Sequence, residues 1–491
     1  MVPGIQKTID GWQIGAGIAG VAIDSRRVKP GYVFVAIPGA TSDGHTFIAD
    51  AIERGAVAVV GEKPDLELPV PYFTVESSRM EAASLSAAFF RYPSDHLKTV
   101  GVTGTNGKTS VVYWLTALLR AAGQPTGLVS SVINDSGSGV LESVLTTPES
   151  PDLQRQLRNM VDHGLTHAVV EVSSHGIAQH RVDQLRLDLA VLTNITREHL
   201  DFHGTMENYV GTKAQLFERM PQDSLGAVIN ADDAYSAEVR SRVTCPVVTF
   251  GLKAGDLRGE IVAQTAWSSR VRLKHPEFEI EGQLNHPGMY NVYNLLAAAA
   301  AAYRMGVEAA VIEAAIPHLP SVPGRMQVMV SPGQPIVVVD YAHTPDGLTQ
   351  SLKTVRTMVS GQVWLVFGAR GGRDRGKRPE MGRIAASLAD RIVLTSDSPN
   401  DEDPLDIASA IKTGIDEVAP SKLAHVEVRR DDAIRWAIDQ ASSNDSVLIT
   451  GRGPETYQYF YGQRVRLKDS EVVQGVLGVQ RSEGVDGIGI H

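Results

Sequence analysis

The stretch Gly101-Val102-Thr103-Gly104-Thr105-Asn106-Gly107-Lys108-Thr109-Ser110 puts a glycine at every third position and then a Lys-Thr pair. A glycine turn that joins a strand to a helix offers backbone N–H groups and the positive end of the helix to phosphate oxygens. The common phosphate loop has a glycine five residues before its Gly-Lys pair; Val102 stands there instead. Lys108 would neutralise the β- and γ-phosphates, and Thr109 or Ser110 would ligate Mg²⁺. A plain glycine turn would need no Lys-Thr at the helix start.

Other candidates lie at the ends of apolar runs. Glu171 closes "THAVVE" and is followed by Ser173, Ser174 and His175. A carboxylate there could hold a metal on a transferred phosphate. His199, Asp201 and His203 follow "DLAVLTNI". On spacing alone, these histidines are as readily capping or packing residues as ligands. Lys213, within "NYVGTKAQLF", reads as a surface helix lysine. Asn291 and Asn294 would cap a helix or read a base edge. Asp340, Tyr341 and His343 offer an acid for ribose hydroxyls and aromatic faces for adenine. Arg370, Arg373, Arg375, Lys377 and Arg378 crowd into nine residues of an acidic chain, which reads as an anion pocket.

These residues need strands to carry them. Apolar, β-branched runs alternate with helical segments through most of the 491 residues, predicting α/β architecture with parallel sheets covered on both faces. Taking about 150 residues per domain gives roughly three domains. The expected divisions are 1–93, 94–325 and 326–491, with Pro320, Pro323 and Gly324 marking the second linker. In the last part, four strands each end in a polar loop, where ligands of open α/β sheets bind. The run "NLLAAAAAAYRMG" is too short to span a bilayer and predicts a buried helix. Residues 481–491 are expected to fray.

A net charge of −10 argues against nucleic acid or an anionic membrane as partner. One cysteine, Cys245, rules out an intrachain disulfide. The N-terminus lacks the basic and apolar regions of a signal peptide. A cytoplasmic monomer acting on small molecules is the expectation.

In order along the chain, "DSRRVKPGYVFVAIPG", "TGTNGKTS", "TTPES", "EVSSHGIAQHRV", "NITREHLDFHG", "NYVGTKAQLF", "YNVYNLLAA", "VPGRMQ", "VDYAHTPDGL", "GKRPEMG" and "GRGPETYQ" resemble the Mur ligases of bacterial cell-wall synthesis. The resemblance covers nearly the whole chain and points to the branch that forms the UDP-muramoyl-tripeptide. It implies a small N-terminal α/β domain for UDP, a central P-loop-type parallel-sheet domain for ATP and Mg²⁺, and a C-terminal Rossmann-like domain for an amino acid. It assigns Ser25, Ala40, Thr41 and Ser42 to the uridine nucleotide, and Thr146, Thr147, Ser173, Gln179 and Arg181 to the muramoyl-dipeptide. Gly104 to Ser110, Asn291, Asn294, Arg325, Asp340, Tyr341 and His343 would serve ATP. Thr109, Glu171, His199 and Lys213 as a carbamate would serve the metal; Lys108, Glu171, His199 and Lys213 would be catalytic. Arg378, Asp397, Ser398, Pro399, Asn400, Gly451 and Glu455 would hold the amino acid. The implied reaction activates the D-glutamate carboxylate of UDP-N-acetylmuramoyl-L-alanyl-D-glutamate as an acyl phosphate, which the amine of a diamino acid then attacks.

The sequence departs from that pattern where the amino acid is chosen. Asp397-Ser398-Pro399-Asn400 stands where members that add meso-diaminopimelate carry Asp-Asn-Pro-Arg. Asparagine cannot supply a bidentate ion pair to a distal carboxylate. The acidic run Asp401-Glu402-Asp403 would suit the lone ammonium of L-lysine, which is the expected substrate; diaminopimelate or another amino acid remains the alternative. Arg370 and Arg452 also replace the usual residues, and either is a candidate replacement clamp. Two rivals are a folate-extending ligase, which residues 1–93 argue against, and a non-catalytic nucleotide-binding relative.

Overall fold

A computed structural model describes residues 5–8, 11–15, 17–39 and 42–478. Ala40, Thr41 and the terminal 481–491 lie outside the described residues.

Three α/β units follow one another, each around its own sheet. The first has four parallel strands, Gly20–Ala22, Tyr32–Val35, Ala56–Gly61 and Tyr72–Thr74. Its inner positions are Val33, Val35, Ala58 and Val60, packed under the helix Ser78–Phe89. Arg27 pairs with Asp152 at 2.6 Å and ties this unit to the next.

The second sheet has eleven strands. Its centre is the parallel set Thr126–Val129, His167–Glu171, Lys98–Thr103, Leu189–Leu192, Gly226–Asn230 and Val247–Gly251. Val100, Val102, Val169 and Val191 point into one apolar layer; Ala168, Val170, Ala190 and Leu192 point into the other. Such strands read as continuous apolar runs because both faces are covered. The helices Lys108–Ala121 and Met289–Arg304 cover the first face, the latter through its buried alanines.

The middle sheet is parallel at its centre, as expected, and antiparallel at both edges. Leu257–Gln264, Ser269–His275 and Phe278–Leu284 form an antiparallel extension at one edge. Ile133–Asp135 and Val140–Glu142 add an antiparallel hairpin at the other.

The third sheet orders its strands Gln327–Met329, Ile336–Val339, Ser446–Ile449, Val363–Phe367, Arg391–Leu394 and Leu423–Val426, with only the first antiparallel. A hairpin, Tyr457–Phe460 with Gln463–Arg466, stands beside its carboxyl end.

Candidate active site

Parallel pairing decides where the site lies. Lys98–Thr103 is flanked by His167–Glu171 and Leu189–Leu192, with Glu171 opposite Val102 and Leu192 opposite Thr103. The loops after Thr103, Glu171 and Leu192 therefore leave the same edge of the sheet.

The three glycines of the loop have three reasons. Gly101 is in the strand, where a Cβ would press on Leu187 at 3.0 Å. Gly104 has φ +145°, and a Cβ there would lie 1.9 Å from the Thr193 hydroxyl. Gly107 has φ +86° and precedes the helix Lys108–Ala121; its Cβ would lie 2.2 Å from Asn294 Oδ1. Only glycine takes the last two places without strain. Neighbouring residues fix the loop between them: Thr105 N–H donates to Asn194 O at 2.8 Å, and Asn194 Oδ1 accepts from Asn106 N–H at 2.9 Å. The helix start leaves its first N–H groups without intrahelical partners, so the loop is shaped to receive an anion.

Two amines converge on one carbonyl of this loop. Lys108 Nζ donates to Gly104 O at 3.1 Å and Thr105 O at 2.7 Å. Lys213 Nζ, buried on the helix Met206–Glu218, donates to Gly104 O at 2.7 Å. Burial, and then the Lys108 charge, hold Lys213 well below the usual lysine range. The surface-lysine reading of Lys213 is thus overturned: it lies behind the loop, against the Tyr209 ring.

Thr109 Oγ1 sits 3.1 and 3.2 Å from the two oxygens of Glu171 and 2.9 Å from Ser131 Oγ. Arg325 reaches the same hydroxyl at 3.0 Å. His199, in the left-handed region at φ 56°, stands on the cavity wall with its ring against His175, 4.6 Å between centroids. Burial pushes its pKa down to about 4, against the pull of Glu198. Among the described residues, no three His, Cys, Asp or Glu side chains converge as a metal cluster. The donor set nonetheless suits Mg²⁺: a hydroxyl and a carboxylate sit together at a phosphate loop, and this ion takes few protein ligands beside water and phosphate oxygens. Lys213 fits only as a carbamate, and the neutral amine favoured by burial is the form that adds CO₂.

The dipeptide candidates form one network. Thr147 Oγ1 donates to Glu171 O at 2.9 Å and accepts from Ser173 N–H at 2.9 Å. Arg181 donates to Thr147 O at 2.8 Å and Gln179 Oε1 at 2.6 Å, and pairs with Glu149 at 2.7 Å. Thr146, Thr147, Ser173 and Arg181 line the main cavity, whereas Gln179, Ser25 and Ser42 do not.

That cavity measures about 1470 Å³ and opens between the second and third sheets. Asn291 and Asn294 line it, joined by a 3.1 Å hydrogen bond. Arg325 lies over the Tyr341 ring at 4.1 Å. The Asp340 carboxylate accepts from Met326 N–H at 3.0 Å and from Ser351, so it braces the linker. His343 Nε2 bonds Glu198 Oε1 at 2.8 Å, bridging the two units. Glu198 escaped sequence reading because nothing near it announces His343, 145 residues away. Burial works against its charge, but His199 and His343 hold it well below the carboxylate range.

On the third sheet, several expectations change. Arg378 is buried with its fork filled by Glu402, both contacts 3.0 Å. It does not line the cavity, so it has no fork to offer an α-carboxylate here. Asn400 also lies off the wall: Nδ2 donates to Gly371 O at 2.7 Å, and its backbone pairs with Tyr459 and Tyr461. Its φ of 53° suits asparagine, one of the few non-glycine residues at ease there. Ser398 and Pro399 are likewise off the wall. Within the acidic run, Glu402 is neutralised by Arg378 and Arg375, while Asp403 caps a helix through Leu405 N–H. Arg452 is wholly buried and donates to Leu467 O at 2.8 Å, which removes it as a clamp.

Asp397, Gly451 and Glu455 do face the cavity, together with Arg370. Arg370 meets Glu455 end-on, at 3.3 and 3.2 Å. Burial opposes the charge on Arg370, but Glu455 and Asp397 hold it on. Burial raises Glu455.

Three family models match this chain: the Mur ligase family, catalytic domain over residues 17–90, the Mur ligase middle domain over 102–302, and the Mur ligase, glutamate ligase domain over 324–453. A UDP-N-acetylmuramoyl-L-alanyl-D-glutamate–2,6-diaminopimelate ligase of Geobacillus thermodenitrificans is 40% identical, with 94% of this chain and 96% of that one covered. The Aquifex aeolicus protein of the same name is 39% identical, covering 96% and 95%. A solved structure of a ligase so named is 32% identical with a TM-score of 0.63, covering 94% and 95%. A MurF ligase from Thermotoga maritima, solved with ADP, shares the fold at 19% identity and a TM-score of 0.65, covering 94% and 97%.

Proposed function

The chain belongs to the Mur ligase family, whose members are ATP-dependent, ADP-forming peptide ligases, and from that premise we propose that it joins a diamino acid to UDP-N-acetylmuramoyl-L-alanyl-D-glutamate. One observation carries the reading. A single cavity is lined by the phosphate loop, by the Thr147–Ser173–Arg181 network and by the Arg370–Glu455 pair. Those three places suit a triphosphate, an acidic peptide and an amino acid.

We assign residues 1–93 to the uridine nucleotide, 94–325 to ATP and 326–491 to the amino acid, in a cytoplasmic monomer. The loop N–H groups at the helix start, from Gly107 to Ser110, hold the ATP phosphates. Lys108 swings from the loop carbonyls to the γ-phosphate, where its charge follows the transferred group. Arg181 and Ser173 hold the D-glutamate end so that its carboxylate oxygen faces the γ-phosphorus. That oxygen displaces ADP, and the acyl phosphate formed is attacked by the uncharged amine, releasing phosphate. Arg325 and Tyr341, stacked together, close over the nucleotide, with Asn291 and Asn294 beside it. Thr109, Glu171, His199 and the Lys213 carbamate would hold Mg²⁺, which when bound offsets charge on the phosphates. Within this arrangement the negative carbamate also attracts the Lys108 ammonium, which a neutral amine would not.

The amino acid is read as diaminopimelate. The relatives carry that name, and the acidic run that favoured L-lysine does not line the cavity, its Glu402 being paired with Arg375 and Arg378. L-Lysine stays as the second reading on one observation, the uncharged side chain of Asn400. Initial rates with each amino acid, following ADP and the mass of the UDP product, test both readings. A product one diaminopimelate heavier supports the first; ATP turnover with no peptide product contradicts the reaction itself.

A further inference from the structure

Of the guanidinium groups around the third sheet, most are committed elsewhere. Arg378 forks onto Glu402, Arg430 onto Asp469, and Arg452 donates to buried carbonyls. Arg464 is exposed and stacks on the Tyr457 ring at 3.5 Å. Arg373 faces Asp201. Arg373 and Asp201 line the cavity too, but that pair spans the second and third units at 3.6 Å. Arg370, with its side chain 30% exposed, and its acid partner Glu455 line the cavity from the third unit alone, meeting through both ends of the guanidinium. Glu455 takes two of its five N–H donors; the other three meet no protein acceptor among the described residues.

We propose that the Arg370–Glu455 pair reads the non-reacting end of the incoming amino acid, Arg370 taking its carboxylate and Glu455 its ammonium. This rests on the ligase reading above and adds the residue that selects the substrate. The pair presents a cation and an anion side by side, which complements a head carrying both charges. An amine set against Glu455 is held as an ammonium and cannot be the nucleophile, so the head bound here is the distal one. Diaminopimelate ends in such a head. Lysine ends in an ammonium alone, which competes with Arg370 for one carboxylate and gives the guanidinium nothing. Arg370 thereby supplies the fork that Asn400, turned to Gly371 O, does not.

The test is steady-state kinetics of the full chain, wild type, Arg370→Gln and Arg370→Lys, with meso-diaminopimelate and with L-lysine. Arg370→Gln is expected to raise KM for diaminopimelate roughly 30-fold or more. KM for ATP and for the UDP-dipeptide should stay within about twofold, and kcat/KM for lysine should hold or improve. Arg370→Lys should recover part of the loss, since it restores charge without the fork. An unchanged KM for diaminopimelate in Arg370→Gln, an equal loss for both amino acids, or a wild type that prefers lysine would overturn the assignment. If wild type ligates neither amino acid, the ligase reading fails first, and the two failures are distinguishable.

Discussion

Lys108 and Lys213 share the Gly104 carbonyl, yet their burial differs and so do their tasks. Lys108→Ala removes a charge from a loop that glycine geometry holds, so the protein should stay folded. Ligation should fall by about 10²–10³-fold or more, the scale of losing a preorganised charge partner; a coupled ADP assay beside a thermal melt checks it. Lys213→Ala should be nearly inactive, and short-chain carboxylates should restore part of the rate. Intact-mass measurement of native protein should show one added CO₂. An unmodified lysine with full activity in the alanine variant would contradict the carbamate.

The elements hold the loop by shape. In Gly107→Ala, a Cβ would meet Asn294 Oδ1 at a φ that alanine resists, a cost of about 1–3 kcal/mol. That variant should show a lower melting temperature and a raised KM for ATP. Strand His167–Glu171 opens with a buried histidine whose Nε2 has no partner. Burial and Lys98 push its pKa down to about 4. Above pH 6.5 it is neutral whether the chain is folded or not. As pH falls from 6.5 to 4 the unfolded chain takes the proton first, so stability declines by up to about 3 kcal/mol and then levels. Denaturant titrations across that range should show the decline, and His167→Gln should flatten it. The parallel strands were legible because Val100, Val102, Val169 and Val191 sit in unbroken apolar runs. The strands from Leu257 to Leu284 leave a weaker signal: Arg270, Arg272, Glu279 and Glu281 interrupt them on one face, leaving only an alternating pattern. Asn400 misled because its backbone conformation and its partner Gly371 are invisible in sequence. Arg378 misled because its partner, Glu402, lies 24 residues on.

At the scale of the molecule, the second and third units meet across the cavity. Glu198 bonds His343, Asn106 bonds Asp346 at 3.3 Å, and Arg197 pairs with Asp374 at 3.2 Å. Of these the Glu198–His343 contact is the most buried, with Glu198 8% exposed. Glu198→Ala should loosen this meeting by removing the acceptor of His343. KM for ATP should rise about 10-fold while KM for the amino acid changes less, as initial-rate measurements will show. The most direct test of the account is a three-substrate dropout. ATP, UDP-N-acetylmuramoyl-L-alanyl-D-glutamate and meso-diaminopimelate are incubated with the enzyme and Mg²⁺, and ADP and the UDP-tripeptide are quantified by mass. The account predicts one ADP per tripeptide, and neither product when any one substrate is withheld. ADP release that ignores the dipeptide, or no tripeptide with any diamino acid, would contradict it.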